Sequence, residues 1–214
     1  MTRFSPSWRK WNVPAAGIIL CLLALPDVRH FLEASMTRHM LVQFPLVLLS
    51  GFWLAGSLPR SWLAPANKWN MHGISGLFAT ALLLAILMVP RLLDLALVDI
   101  RIELGKWLAL LICGSAVRLS WQSAGLVVQG FFLGNVLPMM AVVGYLFGSS
   151  PVRVCNAYLL DDQEGLGQKL VWIAVAIGLA WFASVVRQLM REEDLPAPSG
   201  KLPGVLETEN WPDT

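Results

Sequence analysis

Charge is scarce in this sequence. Of 214 residues, 14% are Asp, Glu, Lys or Arg and 56% are hydrophobic, against roughly 25% charged in a soluble globular chain. That balance excludes an ordinary soluble enzyme. No Lys/Arg cluster offers a nucleic-acid backbone anything to grip, and the formal net charge of +2 points to no partner. Cysteine is also scarce: there are three and no CxxC, so neither a redox pair nor a thiolate zinc site is signalled. Cys21 and Cys113 fall inside apolar runs, where a thiol behaves as a small hydrophobe, whereas Cys155 falls in a polar segment. A Walker loop, a GxGxxG turn, a zinc-protease signature and a nucleophile triad are all missing, so the sequence carries no support for catalysis. The apolar runs do not alternate with polar residues, which excludes a membrane β-barrel. There is no internal repeat and no polar midplane of the kind expected in a transporter.

What the sequence has is long Leu/Ala/Val/Ile blocks with the charges squeezed between them. About 20 apolar residues at 1.5 Å rise match the hydrocarbon thickness. Inside lipid the backbone must satisfy its own hydrogen bonds, and helices do so. The expectation is an all-α, polytopic membrane bundle of about six transmembrane helices over residues 1–190. A polar, disordered cytoplasmic tail is expected over residues 191–214. The spans are expected at about Val13 to Leu25, His39 to Leu58, His72 to Pro90, Trp107 to Trp121, Ala124 to Phe147 and Lys169 to Arg187. Arg3, Arg9 and Lys10 before an apolar run resemble a signal peptide, but no small-x-small site follows, so the segment reads as an uncleaved first helix. The stretch Arg91 to Lys106 puts Leu93, Leu97, Ile100 and Leu104 on one face and suits a helix lying in the interface; Ile100 to Leu104 also alternates like a short strand.

With six spans both termini share a side. Placing them in the cytoplasm leaves Arg3, Arg9, Lys10, Arg60, Lys68, Arg118, Arg187, Arg191 and Lys201 inside, nine basic residues against seven outside. Loops 27–38, 91–106 and 149–168 then face the other compartment. Most of the Trp residues, such as Trp53, Trp107 and Trp172, fall near expected span ends, where indole prefers the headgroup level.

The segment that could carry chemistry is Met36-Thr-Arg-His39-Met40-Leu-Val-Gln43, at the outer end of the second span. On a helix Met36, His39 and Met40 share a face, and Gln43 extends it. Thioethers with an imidazole suit Cu(I). His30, nine residues before His39, is a further candidate ligand. Cys155 could add a thiolate if its loop folds back. The metal candidates are therefore Met36, His39, Met40, His30 and Cys155. The run His39-Met40-Leu41-Val42-Gln43, followed by Phe44-Pro45-Leu46-Val47-Leu48-Leu49, resembles the His-Met-x-x-His element that opens a helix in the CtaG family of cytochrome c oxidase assembly proteins. The likeness covers about twenty residues, with Gln43 where that family has its second histidine. It implies copper delivery to an oxidase at the outer side of a bacterial inner membrane, with oxidase subunits or a copper chaperone as partners besides the lipid bilayer.

Other features weigh less. Met139-Met140 follows Pro138 in the fifth span; the two point about 100° apart, so one at most faces a given site. His72 and His39 are expected at opposite membrane faces, too far apart to share a haem. Arg118 interrupts an apolar run and either snorkels or faces the bundle interior. Arg153, Cys155, Asn156 and Tyr158 stand beside the acidic run Asp161, Asp162, Glu164 in a loop that reads equally as solvated or as a docking surface. Two readings follow: a copper-handling assembly protein, or a non-catalytic structural subunit of a larger membrane complex.

Overall fold

The computed structural model describes residues 6–59 and 68–193, apart from the side chains of residues 6–10 and 192–193. Arg3, Arg60 and Lys201, the side chains of Arg9 and Lys10, and nearly all of the expected tail lie outside that range. The described residues are helical, with no strand. The chain divides into two compact units, Met1–Gly178 and Leu179–Thr214.

Among the described residues eight helices follow in order: α1 Pro6–Ala24, α2 Pro26–Glu33, α3 Met36–Ser57, α4 Ile74–Leu87, α5 Pro90–Val98, α6 Ile100–Ser120, α7 Leu126–Ser149 and α8 Leu160–Glu193. By length and composition α3, α7 and α8 are each able to cross a membrane. Two sharply bent pairs, α1 with α2 (74°) and α4 with α5 (73°), raise the count to five if each pair is one span. Six spans are not reached on this measure, because α6 carries Arg101, Glu103, Lys106 and Arg118 within one helix.

The bends have a common cause. Leu25 and Val89 are extended, and each precedes a proline at the next helix's first turn. A residue before proline is pushed out of the helical region, while proline itself suits a helix start. The expected polar connection over 27–38 is therefore largely helix. The expected interfacial helix over 91–106 is likewise split. Asp99 is extended, accepts from the Arg101 amide at 2.8 Å and opens α6 at Ile100. The stretch Ile100 to Leu104 is helix, and the expected fourth span begins seven residues earlier than Trp107.

α3 and α6 form the centre. A Cβ on Gly51 would lie 2.2 Å from the Leu111 carbonyl oxygen, and one on Gly114 only 1.8 Å from that of Leu48. Glycine therefore lets the two backbones touch, as small residues do where helices meet in lipid. Ser115 Oγ donates to the Gly51 carbonyl across the same crossing at 3.1 Å. Gly51 follows Gln43 by eight positions and Gly114 follows Lys106 by eight, so the helices run parallel and the crossing fixes which residues meet at their N-terminal ends. Further along, the Arg118 guanidinium lies over the Phe52 ring, 5.0 Å from its centroid, which turns that cation toward α3.

The opposite end is tied by Asn70, whose amide donates to Ser120 Oγ at 2.8 Å. Gly73 starts α4 at φ +70°, in the left-handed region that glycine enters without a Cβ clash. α7 runs unbroken through Pro138. α8, at 34 residues, is roughly 50 Å long and exceeds a bilayer core. It starts at Leu160, well before the expected Lys169. In the second unit, Ser184 and Arg187 donate back to carbonyls of this same helix.

Candidate functional site

The site is built at the N-terminal ends of α3 and α6. Pro45 lacks an amide hydrogen, and its ring would crowd the Leu41 carbonyl in a regular helix. The turn His39–Gln43 is accordingly wide, and the Phe44 amide bonds five residues back to the His39 carbonyl. Such single π turns recur at functional sites. With the face it creates, Met36, His39, Met40 and Gln43 are all buried, at 0 to 4% exposure.

The polar loop does fold back onto this face. Asp162, on the first turn of α8, accepts from Ser35 Oγ (3.0 Å), Thr37 Oγ1 (3.2 Å) and the Met36 amide. It thereby caps the start of α3 from another helix. Tyr158 Oη meets His39 Nδ1 at 2.7 Å. Asp94 on α5 accepts from the amides of Asn156 and Ala157. Gln163 holds the loop's own backbone, accepting from the Val154 amide and donating to the Phe147 carbonyl. Behind the loop, α7 and α8 cross closely, a Cβ on Gly167 falling 2.4 Å from the Gly144 carbonyl oxygen.

Closing the loop buries Cys155 and Tyr158 in one packed cluster with Met36, Met40, Leu93, Phe147, Leu166 and Leu170; Met88 and Met140 pack against it. Of the eight methionines and three cysteines in the whole chain, Met36, Met40 and Cys155 belong to this cluster and Met88 and Met140 pack against it, five sulfur side chains from α3, α4–α5, α7 and the loop. Of the pair Met139-Met140, it is Met140 that joins them. Cys155 is 0% exposed, and its thiol is 3.9 Å from the Pro90 carbonyl. Burial, with the Asp94 carboxylate adding to it, pushes that thiol up to about 12. Burial, then the carboxylate of Glu33 and the groups of Cys155, Asp162 and Asp94, raise the Tyr158 hydroxyl as well.

His39 is differently placed. Its Nε2 lies 3.0 Å from Lys106 Nζ, which also approaches Gln43 Oε1 at 3.4 Å. With Lys106 as an ammonium, which has no lone pair, Lys106 donates to Nε2, and the ring's hydrogen then sits on Nδ1 and is donated to Tyr158. Both ring nitrogens are engaged. Beyond Lys106, Arg29 on α2 is ion-paired to Glu33 of its own helix and to Glu103 on α6. Glu103 and Lys106 are each 3% exposed, so two charges sit inside the bundle at this end with a cation and an anion of α2 to balance them. The Gln43 Nε2 amide finds no acceptor among the described residues.

Of the expected metal candidates, the structure brings together Met36, Met40 and Cys155, places His39 at their edge, and leaves His30 exposed on α2. Sequence reasoning missed Lys106, Glu103, Arg29 and Met88. Lys106 and Glu103 were legible only as charges one turn apart at the foot of an apolar run. His72 lies exposed at the other end, near the Asn70–Ser120 contact. Ser120 is fourteen positions beyond Lys106 on α6, roughly 21 Å along the helix, which keeps His39 and His72 from sharing one ligand. Among the described residues no group of three or more His, Cys, Asp or Glu side chains is placed to hold a metal ion. No known protein family, curated protein or solved structure matches the chain.

Proposed function

We propose that this chain is a non-catalytic, multi-pass protein of a bacterial inner membrane that handles Cu(I) for assembly of a respiratory or other copper enzyme. The observation that carries this reading is the sulfur cluster. Thioether and thiol donors from separate parts of the chain are packed together at one end of the bundle, under a loop fastened by specific hydrogen bonds. Sulfur donors select Cu(I) over harder ions. A cargo ion must also leave, and a loop held mainly by a few carboxylates is a means of release.

In this reading α6 also crosses the membrane, as the fourth of six spans, with its charges turned inward and balanced. Both termini are cytoplasmic, and the cluster opens toward the outer compartment, where oxidase subunits or a copper chaperone would meet it. Lipid covers the apolar surface. The test is copper content after Cu(I) loading of the detergent-purified chain. About one copper per chain is expected, lost in Met36→Leu/Cys155→Ala; no copper in the wild type ends the reading.

A second reading, a structural subunit of a larger membrane complex, is favoured by the outward face of α7, where Val127, Phe131, Val142 and Tyr145 are 66 to 85% exposed. Stable co-purification with other chains, without metal, would select it.

A further inference from the structure

We infer that the ion is held by sulfur alone, and that His39 is a strut of the site's lid and not a ligand. This rests on the copper reading and narrows it to a soft monovalent cation with thioether and thiolate ligands.

Three observations lead here. First, a histidine ligates through a ring lone pair, and the one at His39 Nε2 already accepts from Lys106 at 3.0 Å. A metal there would have to displace an ammonium and then sit beside it. Second, the other nitrogen reaches Tyr158, and Tyr158 belongs to the same loop as Cys155. The ring therefore spans from α6 to the loop, braced on its flank by the Phe44 ring at 5.5 Å between centroids. Fixed at both nitrogens, His39 holds the loop down. Third, Met36, Met40 and Cys155 are buried in one apolar cluster against which Met88 and Met140 pack, with the Asp162 and Asp94 carboxylates bonded to backbone amides beside it. One thiolate and a monovalent cation sum to neutral, which an apolar setting tolerates. Binding replaces the Cys155 S–H bond by an S–metal bond and releases one proton, with no change of oxidation state.

The consequence is selectivity. Silver(I), equally soft and monovalent, competes with copper(I), whereas zinc(II), which wants imidazole or several thiolates, does not. His39→Gln loosens the lid but leaves every donor in place.

The experiment is X-ray absorption spectroscopy at the copper edge on the full-length, Cu(I)-loaded protein, with copper content measured in parallel for His39→Gln and Tyr158→Phe. We expect a first shell of sulfur only, without the outer-shell scattering of an imidazole, and copper content within twofold of wild type in both variants. Imidazole scattering in the wild type overturns the inference while leaving the copper reading intact. Absence of bound copper in the wild type overturns both. Should His39→Gln not fold, the wild-type spectrum alone decides.

Discussion

Removing the carboxylate of Asp162 should unlatch the loop over the sulfur cluster. In Asp162→Ala, Ser35 Oγ, Thr37 Oγ1 and the Met36 amide lose their common acceptor. The two hydroxyls are part-buried and recover water, so their loss costs little. The Met36 amide belongs to the first turn of α3 and to a fully buried residue. Loss of a helix cap costs about 1 kcal/mol, and a hydrogen bond to a charged acceptor about 1.5–3 kcal/mol. Taken together, the loop-closed state should weaken by about 2–3 kcal/mol, which is a rise of about 30- to 160-fold in the open population. Cys155 reports it, being 0% exposed when the loop is closed. In a Cys21→Ser/Cys113→Ala background, maleimide labelling of Cys155 should accelerate by that factor, with a smaller effect in Asp162→Asn, whose amide oxygen still accepts. An unchanged rate in a variant that remains folded would show that Asp162 does not hold the loop.

Other consequences follow from the same geometry. Gly114→Leu places carbon where the Leu48 carbonyl oxygen stands, so α3 and α6 must separate; monodisperse, folded protein should be lost on size-exclusion chromatography. Arg29→Leu leaves Glu103 buried without its cation, a loss of about 3–5 kcal/mol in thermal or denaturant unfolding, and adding Glu103→Gln should recover more than half of it. Alkaline pH should loosen the loop: Cys155 titrates near 9 when unfolded and near 12 when buried, so its protonated form stabilises the fold fully below pH 9, and this contribution declines between pH 9 and 12. Melting temperature against pH should fall across that window, less steeply in Cys155→Ala.

The all-helical class and the membrane setting were legible because long apolar runs with few charges have one physical solution in lipid. The face shared by Met36, His39 and Met40 was legible for a similar reason, since helical spacing alone puts them together. Bends were harder to see. Leu25-Pro26 and Val89-Pro90 read as span ends, whereas each starts a short helix at over 70° to the one before. The charged foot of α6 was harder still. Glu103 and Lys106 looked like the polar side of an interfacial helix, because nothing local announces that Arg29 and Glu33 on α2, and His39 and Gln43 on α3, stand across from them. Long-range pairing set by the Gly51–Gly114 crossing decides their burial, and sequence periodicity does not carry that information. The return of Cys155 onto Met36 and Met40 is equally non-local, fixed by Asp162, Tyr158 and Asp94. The assignment of His39 as a ligand followed from residue type; its two nitrogen partners come from α6 and the loop, 67 and 119 positions away in the chain.

The most direct measurement is a competition titration, in which the detergent-purified wild-type chain and its Met36→Leu/Cys155→Ala variant contend with a colorimetric Cu(I) chelator under anaerobic conditions. The wild type should withdraw one equivalent of Cu(I) from the chelator, and the double variant none. Failure of the folded wild type to withdraw copper, or an undiminished withdrawal by the double variant, would contradict the assignment of the sulfur cluster as a copper site.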